Sequence, residues 1–187
     1  MSKARPLTRR QLVTAIIVVA LIQTAALARM VTDRAALLRN GTEVVLETGA
    51  IDPRDLFRGH YTILNLMISR IDPKSVRVDP ALEPGMPVYV VLGPGADGYW
   101  QAENLLAAPP DSPVPLLRGL FEYAHDSEII LSFPIDRYFA PKDRALELEG
   151  INRDGRMGVI LALDDSGYGA IKGLMIDGQR IYEEPLY

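Results

Sequence analysis

The stretch IDPRDLFRGHYTILNL, residues Ile51–Leu66, changes from a charged turn to an apolar run within a few residues. Pro53 has no backbone N–H and keeps the residue before it extended, so a preceding strand is expected to end there. Gly59 permits a sharp bend. The apolar residues that follow predict a β-strand over Tyr61–Ser69. The stretch therefore predicts a proline-containing turn between two strands, and the same pattern continues along the chain.

Short apolar segments separated by Gly, Pro, Asp and Asn make up the chain after residue 41. Glu43–Thr48 alternates polar and apolar residues, as a half-buried strand does. Two hairpins follow, in each of which two strand-like segments flank a turn. Short strands at this spacing predict a mainly β fold, an antiparallel sandwich or a partly open barrel. The predicted hairpin strands are Met86–Leu92 with Tyr99–Leu105 and Leu116–Ala124 with Glu128–Phe133.

The rest of the domain is predicted to hold short helical turns, a connector and a meander. Leu56-Phe57 is compatible with one helical turn, and a short helix is predicted over residues 136–141, ended by Pro141. Residues 71–85 are interpreted as a loop or weak strand, and Trp100 as a core or sheet-face aromatic. From residue 145 onward an antiparallel meander is predicted, with turns at residues 152–155, 164–169 and 177–178.

An apolar run without charge, Leu12–Leu27, follows a basic N-terminus. With Ala28 it approaches the roughly 17–20 residues that cross a bilayer. Helical spacing of apolar residues continues to Asn40-Gly41, which is typical of a helix end. We therefore predict a basic cytoplasmic tail over 1–10, a transmembrane helix with a helical extension over 11–40, and an extracytoplasmic β domain over 41–187. Residues 11–28 are expected to contact the lipid bilayer.

The orientation of this helix is predicted from the basic residues that precede it. Lys3, Arg5, Arg9 and Arg10 lie before the apolar run without any acidic residue, and such clusters stay in the cytoplasm. A second interpretation is a signal peptide cut after Ala28, because residues 26–28 form an A-x-A pattern. Helical periodicity beyond residue 28 favours a retained anchor. Cleavage at this point nevertheless stays an open alternative.

Composition excludes several classes of site. The chain of 187 residues has no Cys and two His, so it has no disulfide, no thiolate metal site and no cysteine nucleophile. The portion from Arg29 onward has 16 basic and 24 acidic residues, a net charge of −8, which argues against a nucleic-acid surface. The acidic turn at 164–167 lacks the regular spacing of a calcium loop. No metal or cofactor is predicted.

The charged residues of the opening stretch have two interpretations. Two carboxylates near a histidine suit general acid–base catalysis if burial adjusts their pKa values. The other interpretation is structural: Asp side chains satisfy the backbone of the turn, while arginines pair with carboxylates and brace it. The catalytic candidates are Asp52, Asp55 and His60. The structural or binding cluster comprises Arg54, Arg58, Gly59, Tyr61, Asp136 and Arg137.

Residues 59–66, GHYTILNL, resemble the signature of the GDYXXLXY-domain family of bacterial proteins. Gly59, Tyr61 and Leu64 match the signature, whereas His60 stands where the family has Asp and Leu66 where it has Tyr. Residues 52–55, 135–139 and 171–178 also resemble segments of the family. The resemblance implies one N-terminal membrane segment in a bacterial inner membrane. Some members are associated with polytopic membrane proteins, which implies such a partner but no particular reaction.

Two functions are therefore expected from the sequence. In the first, the chain is a single-pass inner-membrane protein whose periplasmic β domain binds a membrane-protein partner as an accessory or assembly module. In the second, the domain is an extracytoplasmic enzyme or small-ligand-binding domain that uses the charged cluster between Asp52 and His60. A deep polar pocket with strongly shifted carboxylates would favour the second function, and a flat exposed apolar patch the first.

Overall fold

A computed structural model describes residues 8–49, 61–63, 65–135, 137–139 and 157–183. Two compact units make up the chain, Met1–Ala36 and Leu37–Tyr187. The predicted boundary at residues 40 and 41 falls four residues after the start of the second unit. The first unit consists of most of one helix, and the second contains all the β-strands that the structure describes.

One helix, α1, runs over Arg9–Asn40 and confirms the predicted N-terminal helix. An apolar window of 18 residues within it has no buried residue, and its length and composition suffice to cross a membrane. Thr8 lies directly before the helix, where its hydroxyl accepts a hydrogen bond from the N–H of Gln11. This is the contact expected of a residue that caps a helix N-terminus.

The second unit is mainly β, and its strands form two larger sheets that together make a partly open half-barrel. The chain supplies the first three strands before residue 67, namely β1 (Thr42–Gly49), β2 (Tyr61–Ile63) and β3 (Asn65–Leu66). A 3₁₀ helix over Met67–Ser69 comes next. The remaining strands are β4 (Arg70–Ile71), β5 (Arg77–Val78), β6 (Pro87–Pro94), β7 (Trp100–Leu106), β8 (Leu116–Ala124), β9 (Ile129–Ser132), β10 (Arg137–Phe139), β11 (Met157–Leu163), β12 (Gly169–Ile176) and β13 (Gln179–Glu183).

The five-stranded sheet has the order β13-β12-β11-β1-β3, and the six-stranded sheet has the order β4-β9-β8-β6-β7-β5. Strands β10 and β2 form a separate pair. All pairs are antiparallel except β5 with β7. The fold thus confirms the predicted mainly β class and both predicted hairpins, β6–β7 and β8–β9.

Two connections between the larger sheets lie within the described residues. Residues 65–71 pass from one sheet to the other, because β3 pairs with β1 whereas β4, five residues later, pairs with β9. Elsewhere the N–H of Arg118 in β8 donates a 2.8 Å hydrogen bond to the carbonyl oxygen of Gly167, in the turn after β11. These connections close part of the barrel around one apolar core.

Core side chains come from alternate positions of the strands, as the period of a strand requires. In β1 the buried residues are Val44, Leu46 and Thr48, so Glu43 and Glu47 lie on the other face. Strand β11 is an exception: it is the central strand of its sheet, and all seven of its residues are buried, so both of its faces are covered. A smaller cluster within the same unit contains Leu38, Ala162 and Ala170, so the last helical turn packs on β11 and β12.

Two predictions of local structure are wrong. The predicted strand over Tyr61–Ser69 is interrupted, because Met67–Ser69 is a 3₁₀ helix that carries the chain between sheets. The predicted helix over 136–141 is wrong where the structure describes it, since Arg137–Phe139 is strand β10 paired with β2. Aromatic residues suit a strand as well as a helix, and the pairing decides between them. The predicted turns at 56–57 and 152–155 lie outside the described residues.

Candidate functional site

Most of the predicted charged cluster lies outside the described residues. This applies to Asp52, Arg54, Asp55, Arg58, Gly59, His60 and Asp136. For Tyr61 and Arg137 the structure describes the backbone: Tyr61 is opposite Phe139 and Arg137 opposite Ile63 in the β2–β10 pair. The strand pairing therefore brings together the two segments from which the cluster was predicted.

Leu66, at the last position of the family-like signature, is 2% exposed and belongs to the core. Its backbone is paired with that of Thr48 in β1. Strand β3 thus lies beside the end of β1. Leu66 therefore packs inside the domain and lacks the hydroxyl group of the Tyr that the family signature has at this position.

A cleft of about 220 Å³ lies beside this point, between the end of β1, the 3₁₀ helix and β7. Glu47 lines the cleft from the outer face of β1, and Arg70 lines it from β4. Met67 is half exposed at 50%. Trp100 is partly buried and packs against the core, as its predicted role requires. The full lining is Glu47, Met67, Ile68, Arg70, Ile71, Asp72, Ser75, Tyr99, Trp100, Gln101 and Ala102.

Two polar residues of the cleft, Asp72 and Ser75, form hydrogen bonds that stabilise the turn in which they lie. The carboxylate of Asp72 accepts a 2.9 Å hydrogen bond from the N–H of Lys74. The Ser75 hydroxyl donates a 2.8 Å hydrogen bond to the carbonyl oxygen of Asp72. Such local bonds are typical of Asp and Ser in turns. Glu47, Arg70 and Tyr99 supply the other ionisable side chains of the lining.

Tyr99 lies at the turn of the β6–β7 hairpin and reaches the five-stranded sheet. A Cβ atom placed on Gly158 would be 2.7 Å from Cε1 of Tyr99 and 3.3 Å from a methyl group of Val45. Burial of the phenol raises the pKa of Tyr99, and the nearby carboxylates of Glu47 and Asp97 raise it further. Both effects act against loss of the phenol proton.

A second charged group lies on the outer face of the five-stranded sheet. Lys172 is the extra residue where the β11–β12 register shifts, and its ammonium is 2.7 Å from one carboxylate oxygen of Glu43. Arg180 donates to the other oxygen at 2.6 Å. Hydrogen bonds from both cations lower the pKa of the Glu43 carboxyl group. This cluster links β1, β12 and β13, so its first role is structural.

Within the described ranges, no group of three or more His, Asp or Glu residues could hold a metal ion. The carboxylate of Asp164 forms hydrogen bonds within its own turn, and these bonds account for an acidic residue at this position. One carboxylate oxygen of Asp164 accepts hydrogen bonds from the N–H groups of Ser166 and Tyr168 and from the Ser166 hydroxyl, at 2.6–2.9 Å. This carboxylate therefore stabilises the turn that carries Gly167 to β8.

The cleft residues were not predicted from the sequence, although part of the signal is present. The alternation EVVLET in β1 places Glu43 and Glu47 on one face, opposite the core. Nothing in the sequence relates Glu47 to Tyr99 or Arg70, because β1, β4 and the β6–β7 turn come together only in the folded domain.

The profile of the family described as GDYXXLXY protein matches residues 23–174, most of the chain. No curated protein and no solved structure matches the chain. The match includes the last part of α1, the strand pair β2–β10, the whole six-stranded sheet, and the five-stranded sheet except for β13 and the end of β12. The chain therefore belongs to the GDYXXLXY family.

Proposed function

We propose that the protein is a single-pass bacterial inner-membrane protein whose β domain lies in the periplasm and binds a membrane-protein partner. Its N-terminus is cytoplasmic, and α1 is retained as the anchor. The exposed apolar helix supports the anchor, and the four basic residues before its apolar run support the orientation. The protein acts in this proposal as an accessory or assembly module.

The short tether between the anchor and the β unit is the observation that carries the partner proposal. The apolar run ends before Arg29, and the β unit begins at Leu37. Eight residues span at most about 29 Å in any conformation. The start of the β unit is therefore held within this distance of the bilayer surface. A domain held this close to the bilayer is within reach of a partner in the membrane, which supports the proposal.

The size of the cleft favours a protein segment over a small ligand. Its volume of about 220 Å³ is below the roughly 300–1,000 Å³ of pockets that enclose small molecules. Half-exposed Met67 beside Trp100 gives an apolar contact surface, and Arg70 with Glu47 adds charges of both signs. Aromatic residues, Met and Arg are enriched in protein interfaces. We therefore assign the cleft to a side chain or short segment of the partner.

Topology can be tested with single cysteines, since the natural chain has none and gives no background labelling. Ser2→Cys and Asp111→Cys place one thiol in the tail and one in an exposed loop of the β domain. In intact cells whose outer membrane has been made permeable, a membrane-impermeant maleimide should label Cys at 111 and leave Cys at 2 unlabelled. The opposite pattern overturns the orientation. A mature N-terminus at Arg29 overturns the retained anchor.

The partner site can be tested with a photo-reactive amino acid at position 67, in the cleft. A control at position 123 uses an exposed tyrosine that does not line the cleft. Illumination of membranes should give a cross-link to an integral membrane protein from position 67, with little from position 123. Equal cross-linking at both positions, or none at position 67, would contradict the assignment of the cleft.

A further inference from the structure

The side chain of Gln23 lies within the apolar part of α1. It is exposed, and Arg29, the first charged residue after the run, lies six positions later. Six helical residues rise about 9 Å. Half of the hydrocarbon core is about 15 Å thick. In a membrane-spanning α1, the amide of Gln23 is therefore inside the hydrocarbon region.

Gln23 differs from the threonines of the same helix in what its side chain requires. A Thr hydroxyl can bond to a carbonyl of its own helix, as Thr32 does with the carbonyl oxygen of Arg29 at 2.9 Å. The Gln amide has two donor hydrogens and an acceptor oxygen. Within the described residues it has no hydrogen-bond partner. Lipid offers none, so a second helix is the remaining source of a donor and an acceptor.

The orientation of the chain favours a second copy of itself as that helix. All copies insert in the same direction, so their Gln23 side chains lie at the same depth. Two primary amides are self-complementary, because each donates and each accepts. Ile16, Ala20 and Leu27 lie on the same side of the helix as Gln23, at the three- and four-residue spacing of a helix–helix seam.

We propose that two copies of the protein associate in the membrane through parallel α1 helices, with their Gln23 amides hydrogen-bonded to each other. This inference rests on the membrane-spanning helix of the proposed function. The partner-binding β domain is then presented twice, side by side, at the membrane surface. The seam is small and contains one polar pair, so the association is reversible.

Disulfide cross-linking in membranes tests the seam. In the cysteine-free chain, Ile16→Cys and Leu27→Cys place thiols on the side of Gln23, while Leu21→Cys and Ala25→Cys place them on the opposite side. With a mild oxidant, dimers should form through positions 16 and 27 and to a much smaller extent through 21 and 25. Equal yields on both sides, higher yields at 21 and 25, or no dimer at any position would overturn the proposal.

Variants of Gln23 test the amide itself. Energy transfer between labelled full-length copies in phosphatidylcholine–phosphatidylglycerol vesicles should show dimerisation roughly 3- to 30-fold weaker for Gln23→Leu, the effect of losing one interhelical hydrogen-bonded pair of about 0.6–2 kcal/mol. Gln23→Asn should restore part of the loss. Thr14→Val, on the opposite side, should dimerise like the natural chain. A Gln23→Leu variant that dimerises normally, or an Asn variant that is no better than Leu, overturns the proposal.

The failure of this inference can be distinguished from the failure of the proposed function. A protein that is extracted from membranes at high pH does not span them, and both proposals then fail. A protein that resists extraction, shows the predicted thiol labelling and stays monomeric overturns the dimer alone. Cross-links from positions 16 and 27 exclusively to a different protein would assign Gln23 to the partner and would also overturn the dimer.

Discussion

The hydroxyl of Thr48 donates a 2.6 Å hydrogen bond to the carbonyl oxygen of Met157. Thr48 is 1% exposed, and it lies one position after the last backbone pair of β1 with β11. Its backbone is at the same time paired with Leu66 in β3. A side chain thus extends the contact of β1 with β11 by one position, next to the segment that carries the family signature.

Replacing Thr48 by Val keeps the shape of the side chain and removes the hydroxyl. The carbonyl of Met157 then loses a buried donor, and we expect the free energy of unfolding to fall by about 1–2 kcal/mol. Urea unfolding of the full-length protein in detergent, followed by the fluorescence of the single tryptophan, measures this loss. Thr42→Val, at an exposed position of the same strand, should change stability by less than about 0.5 kcal/mol. Equal stability of the two variants would contradict the role of the hydroxyl.

Gly167 connects the two larger sheets and has a φ of +81°, and a Cβ placed there would overlap Cδ1 of Leu116. Gly98 has a φ of +86° with open space around it. Both Gly→Ala variants pay about 1–2 kcal/mol for the left-handed backbone. Gly167→Ala should lose a further ~1–3 kcal/mol from steric overlap. The same urea experiment compares them. If Gly98→Ala loses as much stability as Gly167→Ala, the steric overlap between a side chain at position 167 and Leu116 in β8 does not contribute to the loss.

The contact of Gly158 with Tyr99 can be tested by a double-mutant cycle. Gly158→Ala places a methyl group against the Tyr99 ring and should destabilise the domain by about 1–3 kcal/mol. In a Tyr99→Ala background the same substitution should cost less, because the ring that it meets is absent. Additive losses would show that Tyr99 does not pack on Gly158.

The Glu43 cluster predicts a dependence of stability on pH. Lys172 and Arg180 lower the pKa of Glu43 below its ordinary value near 4.5, so the folded state binds its proton less readily than the unfolded state. The resulting stabilisation is complete above pH ~4.5 and is lost as the pH falls through the lowered pKa. The Glu43 side chain is 39% exposed, so the expected contribution is below about 1 kcal/mol.

Glu43→Gln should therefore be less stable than the natural protein at pH 7, and this difference should shrink as the pH falls below 4.5. Glu83→Gln, at an exposed position outside the cluster, serves as the control. Unfolding by urea at several pH values measures both variants. A constant difference between pH 7 and pH 3 would mean that the charge of Glu43 does not contribute to stability.

Much of the fold could be predicted because its signals are local. The alternation in Glu43–Thr48 marks a strand with one buried face, and the glycines and the single proline of residues 93–98 mark the β6–β7 hairpin. The long apolar run marks α1 in the same way. Each of these features is decided by residues within a few positions of one another.

Features decided by distant partners could not be predicted. Tyr138 and Phe139 are compatible with a short helix until β2 pairs with them. The apolar residues around Ile68 look like one strand, yet the change from one sheet to the other requires a 3₁₀ turn there. The cleft follows the same rule, because Glu47, Arg70 and Tyr99 meet only where the sheets meet.

Strand β1 is one of the first parts of the domain to be synthesised, and its neighbour β11 follows much later. Thr48 in β1 and Met157 in β11, for example, are 109 residues apart in the sequence. At about 5–20 residues per second, the ribosome needs on the order of 5–20 s to supply the missing strand. Over that time the edge of β1 that pairs with β11 stays unpaired, and the apolar face of β1 is not covered by β11. Pairing between strands that are far apart in the sequence is also slow. We therefore expect truncation before β11 to leave a chain that aggregates or is degraded, instead of a smaller stable domain.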